Sequence, residues 1–144
     1  MTGVTMTQFE HANLTVPNID AAIAFLLNAA PDFRIKADQT PKGKQRWVHI
    51  GNDTCYFALQ EPHDSMTSID NRKPYQNIAI NHIGMIVENL DSIQNKLLSL
   101  GYEQNGDIAQ EKYGRRIYFY DKAHFEWELV EYNSEKEEER YCYQ

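Results

Sequence analysis

The ten residues His11-Ala12-Asn13-Leu14-Thr15-Val16-Pro17-Asn18-Ile19-Asp20 return at positions 82–91 as His82-Ile83-Gly84-Met85-Ile86-Val87-Glu88-Asn89-Leu90-Asp91. Histidine, valine, asparagine and aspartate coincide, and the same alignment places Leu26 and Leu27 over Leu97 and Leu98. A period of about half the chain is too long for a solenoid and gives too few copies for a propeller. It reads as a duplicated module with a pseudo-twofold relation between the halves.

Each copy reads as a strand, a helix and then further strands. Ala12, Leu14 and Val16 alternate as in a half-buried strand, and Ile83, Met85 and Val87 repeat the pattern. Asn18 or Asp20 can cap a helix over 21–30 that Pro31 ends; Asn89 or Asp91 offers the equivalent cap to a helix reaching Leu100, with Gly101 as its left-handed terminator. Strands over 46–51 and 54–60 flank the turn sequence Gly51-Asn52-Asp53 and predict a hairpin. Its counterpart joins 116–121 to 125–132 through Lys122-Ala123-His124. The expectation is an α+β domain over 1–144: one module over about 8–60, a linker over 61–76, a second module over about 77–133 and an acidic tail over 134–144. The linker carries Pro62, Pro74, Asp64, Ser65, Asp70 and Asn71; the tail is mostly Glu and Lys and reads as a solvated end.

Composition narrows the partners. The chain has 144 residues, with 14 basic and 21 acidic side chains and a net charge of −7. An acid surplus without a Lys/Arg cluster repels phosphates, which argues against nucleic acid and anionic membrane as partners and leaves small molecules. No apolar run approaches a membrane span, and 1–10 lacks the pattern of a secretory signal. Two cysteines in unlike settings, Cys55 and Cys142, do not form a disulfide scaffold. A soluble cytoplasmic protein is expected.

Strand parity separates two faces. Val48, Ile50, Phe57, Leu59, Ile117, Phe119, Trp127 and Leu129 fall on apolar sides that helices should cover. The opposite sides carry His11, Asn13, Trp47, His49, Tyr56, Ala58 and Gln60 from the first module, and His82, Arg116, Tyr118, Tyr120, Glu126 and Glu128 from the second. Two histidines at equivalent ends of repeated strands and a carboxylate on the last strand have the composition of a 2-His-1-carboxylate site. Such a set suits Fe, Zn, Ni or Mn and leaves positions open for water or substrate. His11, His82 and Glu128 are the candidate ligands of one divalent ion.

These residues resemble the vicinal oxygen chelate superfamily, which includes glyoxalase I, fosfomycin-resistance enzymes, extradiol dioxygenases and bleomycin-binding proteins. The resemblance rests on Glu10-His11-Ala12-Asn13-Leu14-Thr15-Val16, Asn81-His82-Ile83-Gly84-Met85-Ile86-Val87 and Trp127-Glu128-Leu129-Val130-Glu131, within 8–133. It implies paired βαβββ modules forming a curled mixed sheet around a cupped site, with helices on the outer face, and it implies His11, His82 and Glu128 as ligands. Glyoxalase I-like members usually add a carboxylate on the last strand of the first module. Repeat symmetry puts Ala58 there, and Gln60 is the nearest polar substitute. The usual turn before the closing strand is replaced by Asp121-Lys122-Ala123-His124, and no counterpart of the potassium-gripping loop of fosfomycin-resistance enzymes precedes Tyr113.

A divalent ion on three ligands can take two neighbouring oxygens of a substrate and stabilise charge developing on them. Fe(II) would suit ring cleavage; Ni or Zn would suit proton transfer beside a carbonyl, a lyase or isomerase reaction. Tyr118, His49 and Tyr56 are candidate proton carriers, Tyr118 first. Trp47, Gln60, Arg116, Tyr120 and Asn13 are candidate substrate contacts. A sequestration protein of the antibiotic-resistance kind, or a partner-binding module, is the alternative to an enzyme. A homodimer is expected, and in one form of it His11 meets His82 and Glu128 of a second chain.

Overall fold

A computed structural model describes residues 7–63, 73–76 and 78–142. The first module runs β1 (His11–Thr15), α1 (Ile19–Ala29), β2 (Arg34–Gln39), β3 (Trp47–Gly51) and β4 (Tyr56–Gln60). The second runs β5 (His82–Ile86), α2 (Leu90–Ser99), β6 (Glu103–Gln104), β7 (Ala109–Glu111), β8 (Gly114–Tyr120) and β9 (Glu126–Tyr132), and α3 (Glu137–Arg140) follows. The sheets have the orders β1-β4-β3-β2 and β5-β9-β8-β6, with β7 on β8. In each, the first strand lies parallel to the last and the rest are antiparallel. The chain is thus an α+β protein of two repeated βαβββ modules whose curled sheets do not close. Most linker residues, 64–72, lie outside the described residues, as does residue 77.

The capping chemistry is half as expected. Asn18 caps α1 by accepting from Ala21 N–H at 2.9 Å. Asn89 holds the equivalent place in α2 but sits in the left-handed region (φ 57) and makes no side-chain cap. Instead the Leu90 N–H donates to Glu131 Oε2 at 2.7 Å, a cap supplied by β9. At the other end Gly101 (φ 80) is the expected terminator. The N–H groups of Gly101 and Tyr102 bond back to Leu98 and Leu97 carbonyls at 3.0 Å each, a Schellman closure. The tail departs from a free end. The Arg140 guanidinium lies over the Tyr132 ring at 5.5 Å, and Arg140 Nε donates to the Ser134 carbonyl.

Alternation decides where the core forms. Val48, Ile50, Phe57 and Leu59 of one sheet, and Ile117, Phe119, Trp127 and Leu129 of the other, belong to one buried cluster with α1 and α2. Trp127 and Phe25 are both fully buried and stack at 5.8 Å, and Phe57 meets Trp127 at 5.5 Å. The apolar sides of both modules therefore share a core, and the polar sides of both sheets face away from it.

Candidate metal centre

On the second module, the parallel register sets Glu126 beside His82 and Glu128 beside Gly84. Gly84 has no side chain to occupy the space next to Glu128, and the carboxylate leans back along the sheet toward His82. His82 Nε2 and Glu128 Oε2 are 2.9 Å apart. The other oxygen of Glu128 accepts from Arg116 Nη1 at 2.7 Å, and Arg116 also donates to Glu111 Oε1 (2.7 Å) and to the Tyr132 hydroxyl (3.0 Å). Glu126 is equally buried: it accepts from Asn105 Nδ2 at 2.7 Å and from the Tyr75 hydroxyl at 2.5 Å. The same hydroxyl is 2.9 Å from His82 Nδ1. Tyr118 meets the His82 ring edge-on at 5.3 Å. Burial, then the charge of Glu128, pushes the Tyr118 phenol up, so it keeps its proton near neutrality. Hydrogen bonding to Glu126, aided by burial, pushes Tyr75 up to about 12.

The first module presents a row of rings. Trp47 and His49 are 4.8 Å apart, His49 and Tyr56 4.7 Å, and Tyr56 and His11 4.9 Å, the last pair nearly parallel. Glu10 ties down the end of the row: its Oε1 meets His11 Nδ1 at 2.9 Å and accepts from the Tyr56 hydroxyl at 3.2 Å. Those two contacts hold its carboxyl below the usual range, His11 contributing most. His11 is thereby anchored through Nδ1, which turns Nε2 away from Glu10. Burial, then the neighbouring His11, pushes the His49 imidazole down. Ala58 lies between Asn13 and His49 in the sheet, and Gln60 pairs with Trp47. Trp47 and Gln60 continue into a cavity of about 530 Å³ bordered by Lys44, Arg46 and His63.

The structure brings His82, Glu128, Tyr118 and Arg116 together, and separately His11, Tyr56, His49 and Trp47. Tyr120 pairs with Glu126 across the sheet, and its ring lies 5.0 Å from that of His124. Among the described residues no three His, Cys, Asp or Glu side chains gather to hold a metal ion within one chain. Arg116 is engaged with Glu128, Glu111 and Tyr132. Glu10, Glu126 and Tyr75 are site neighbours that sequence reasoning did not single out. Glu126 shares the parity of Glu128, the one signal that marked it; Tyr75 sits in the linker, where alternation gives no information.

The two half-sites fit a divalent ion by their donor chemistry. Adjacent ligands of an octahedral ion at roughly 2.1 Å stand about 3 Å apart, which matches the His82–Glu128 separation. Each imidazole has its second nitrogen engaged, His11 by Glu10 and His82 by Tyr75, the outer-shell arrangement of metal-binding histidines.

Paired βαβββ modules with a His on each first strand and a Glu on the closing strand define a class of protein rather than a single activity. The sequence matches the Glyoxalase/Bleomycin resistance protein/Dioxygenase superfamily over residues 8–129, and the chain belongs to that superfamily. A comparison with curated proteins returns no match. Solved structures share the fold. A glyoxalase family protein from Bacillus cereus superposes with a TM-score of 0.73 at 17% identity, covering 93% of this chain and 99% of that one. The genomically encoded fosfomycin resistance protein FosX from Listeria monocytogenes, complexed with Mn(II) and sulfate, superposes at 0.61 with 20% identity, covering 96% and 98%. A mutant of the same FosX, complexed with Mn(II) and 1S,2S-dihydroxypropylphosphonic acid, gives 0.65 at 20% identity, covering 95% and 99%. No helix among the described residues is long and apolar enough to cross a membrane.

Proposed function

We propose that the chain works as a homodimeric, divalent-metal-dependent enzyme acting on a small molecule with neighbouring oxygens. In this reading His11 of one copy joins His82 and Glu128 of the other around each ion. The observation that carries it is the split of the donor set: a His–carboxylate pair 2.9 Å apart on one outward face, and the second histidine on the outward face of the other module. A second copy is the natural occupant of the seam between the modules. β1 and β5 end their sheets, with no further strand on their outer edges among the described residues. Beside them runs a groove of about 840 Å³ lined by Ala12, Phe57, Ile83 and Met85, with Phe9 and Ile86 exposed at its rim. The Mn(II) of the FosX structures supports a divalent ion in this family.

The ion would supply Lewis-acid stabilisation of charge on the substrate oxygens. The chain's own residues do the rest. Arg116 fixes one oxygen of Glu128 and leaves Oε2 as the ligand atom. The row from Trp47 to Tyr56 forms an aromatic wall for a flat substrate. His49, kept neutral by burial, is suited to accept a proton, and Tyr118, kept protonated, to donate one. Ala58 brings no carboxylate to the position where glyoxalase I-like relatives carry one, which favours proton handling by these side chains.

Isothermal titration of chelator-treated protein with Mn(II) tests the reading. We expect about one ion per chain, loss of binding in His82→Ala, and a melting temperature that rises by several degrees in excess metal. A chain that takes up no Mn(II), Fe(II), Zn(II) or Ni(II) instead supports a metal-free binding or sequestration role. The Arg116–Glu128 pair favours that second reading, because it already neutralises the carboxylate.

A further inference from the structure

Tyr75 is an anomaly of position. Its residue is 64% exposed and its backbone is left-handed (φ 65), yet its hydroxyl reaches a carboxylate that is only 4% exposed. The residue is pinned through both backbone and side chain: the Tyr75 backbone N–H donates to Asn81 Oδ1 at 2.6 Å, and the hydroxyl donates to Glu126 Oε1. A phenol has one proton. With that proton on Glu126, the contact of 2.9 Å to His82 Nδ1 is made by the imidazole N–H donating to the phenol oxygen. Nδ1 itself is 3.4 Å from Glu126, too far for a good direct bond, so Tyr75 spans the gap between imidazole and carboxylate. The result is a relay from Asn105 through Glu126 and Tyr75 to His82.

Histidines that bind metals are held in one tautomer and one ring orientation by a hydrogen bond on the nitrogen away from the ion. We infer that Tyr75, acting with Glu126, is the positioning residue for His82: it places the proton on Nδ1 and turns Nε2 toward Glu128 and the cation. This rests on the metal reading above and adds to it a residue from the linker, outside both βαβββ modules. The left-handed backbone at Tyr75 strengthens the case. A non-glycine residue in that region costs free energy that surrounding contacts must offset, and the contacts found here are those to Asn81, Glu126 and His82.

The test uses the full chain as wild type, Tyr75→Phe and Glu126→Gln, with His82→Ala as the control. Mn(II) affinity is measured by titration, and the hydrogen-bonded imidazole N–H of His82 by proton NMR of the Zn(II)-loaded and metal-free proteins, assigned by its loss in His82→Ala. Tyr75→Phe should keep the fold, by circular dichroism, and weaken Mn(II) binding by about 10–100-fold. It should also lose the His82 N–H resonance to solvent exchange, an effect that a merely structural role for Tyr75 would not produce. Glu126→Gln should weaken binding less. If wild type binds Mn(II) and Tyr75→Phe binds equally well with the resonance retained, the positioning role is overturned and the metal reading stands. If wild type binds neither Mn(II) nor Zn(II), the metal reading falls and the role falls with it.

Discussion

Leu90 donates its backbone N–H to Glu131, so a carboxylate 41 residues downstream closes the N-terminus of α2. Glu131 also accepts from Arg115 Nη2 at 2.6 Å and Nε at 3.2 Å, while Arg115 reaches Asp91 at 2.8 Å. The Leu90 N–H first, and Arg115 second, hold the Glu131 carboxyl below its ordinary value of 4.5. A depressed carboxylate contributes stability that is present above its unfolded pKa and is lost as pH falls through the lower, folded one. Glu131→Gln keeps the shape and removes the charge. It should cost about 1.5–3 kcal/mol at neutral pH, the worth of hydrogen bonds to a charged group. It should also flatten the fall of stability below about pH 4.5, read from urea midpoints across pH. Equal acid slopes in variant and wild type would refute the assignment. Residue-level patterns reveal caps carried within a few positions, as at Asn18. A cap brought by another strand, with Asn89 left in a strained left-handed turn, depends on how β9 packs and has no local signature.

At the level of elements, periodicity located β1, α1, β3, β4, β5, α2, β8 and β9, because apolar residues recur in each at strand or helix spacing, even in β9, where Glu126 to Val130 are all buried. β2 escaped it: its burial runs exposed almost throughout, with Ala37 alone partly covered, so there is no alternation to read. β6 and β7, two and three residues long, are too short to carry a period. α1 matters most to the whole, since Phe25 stacks on Trp127 and also meets Tyr102 and Phe119 of the second module. Phe25→Ala removes a fully buried ring at the joint of the modules and should cost about 3–5 kcal/mol. Because the core is shared, unfolding should remain one transition. In each of two single-Trp variants, retaining Trp47 in the first module or Trp127 in the second, the fluorescence melt should coincide with the circular-dichroism melt of that same variant. Separate midpoints would mean that each module carries its own core.

For the whole molecule, the sequence proposes His11, His82 and Glu128 as candidate ligands, and whether they meet is not written in it. Repeat and parity pick out His11, His82 and Glu128, but both methods describe faces of single sheets. In the proposed reading the two outward faces meet only in an assembly, which no pattern along one chain encodes. The proposed twofold dimer would carry a distinctive signature, since each of its two sites would draw His11 from one copy and the His82–Glu128 pair from the other. His11→Ala and His82→Ala homodimers should each lose tight metal binding. In a mixed dimer both lesions fall in the same site, and the other site has intact His11, His82 and Glu128. Unfolding and refolding an equal mixture should therefore restore tight Mn(II) binding to about one quarter of the wild-type amount, the share expected when half the dimers are mixed and each has one whole site. A site built within one chain predicts no recovery at any mixing ratio, because every chain then carries a lesion in its own ligand set. Titration of the refolded mixture against the two unmixed variants separates the two arrangements without knowledge of the substrate.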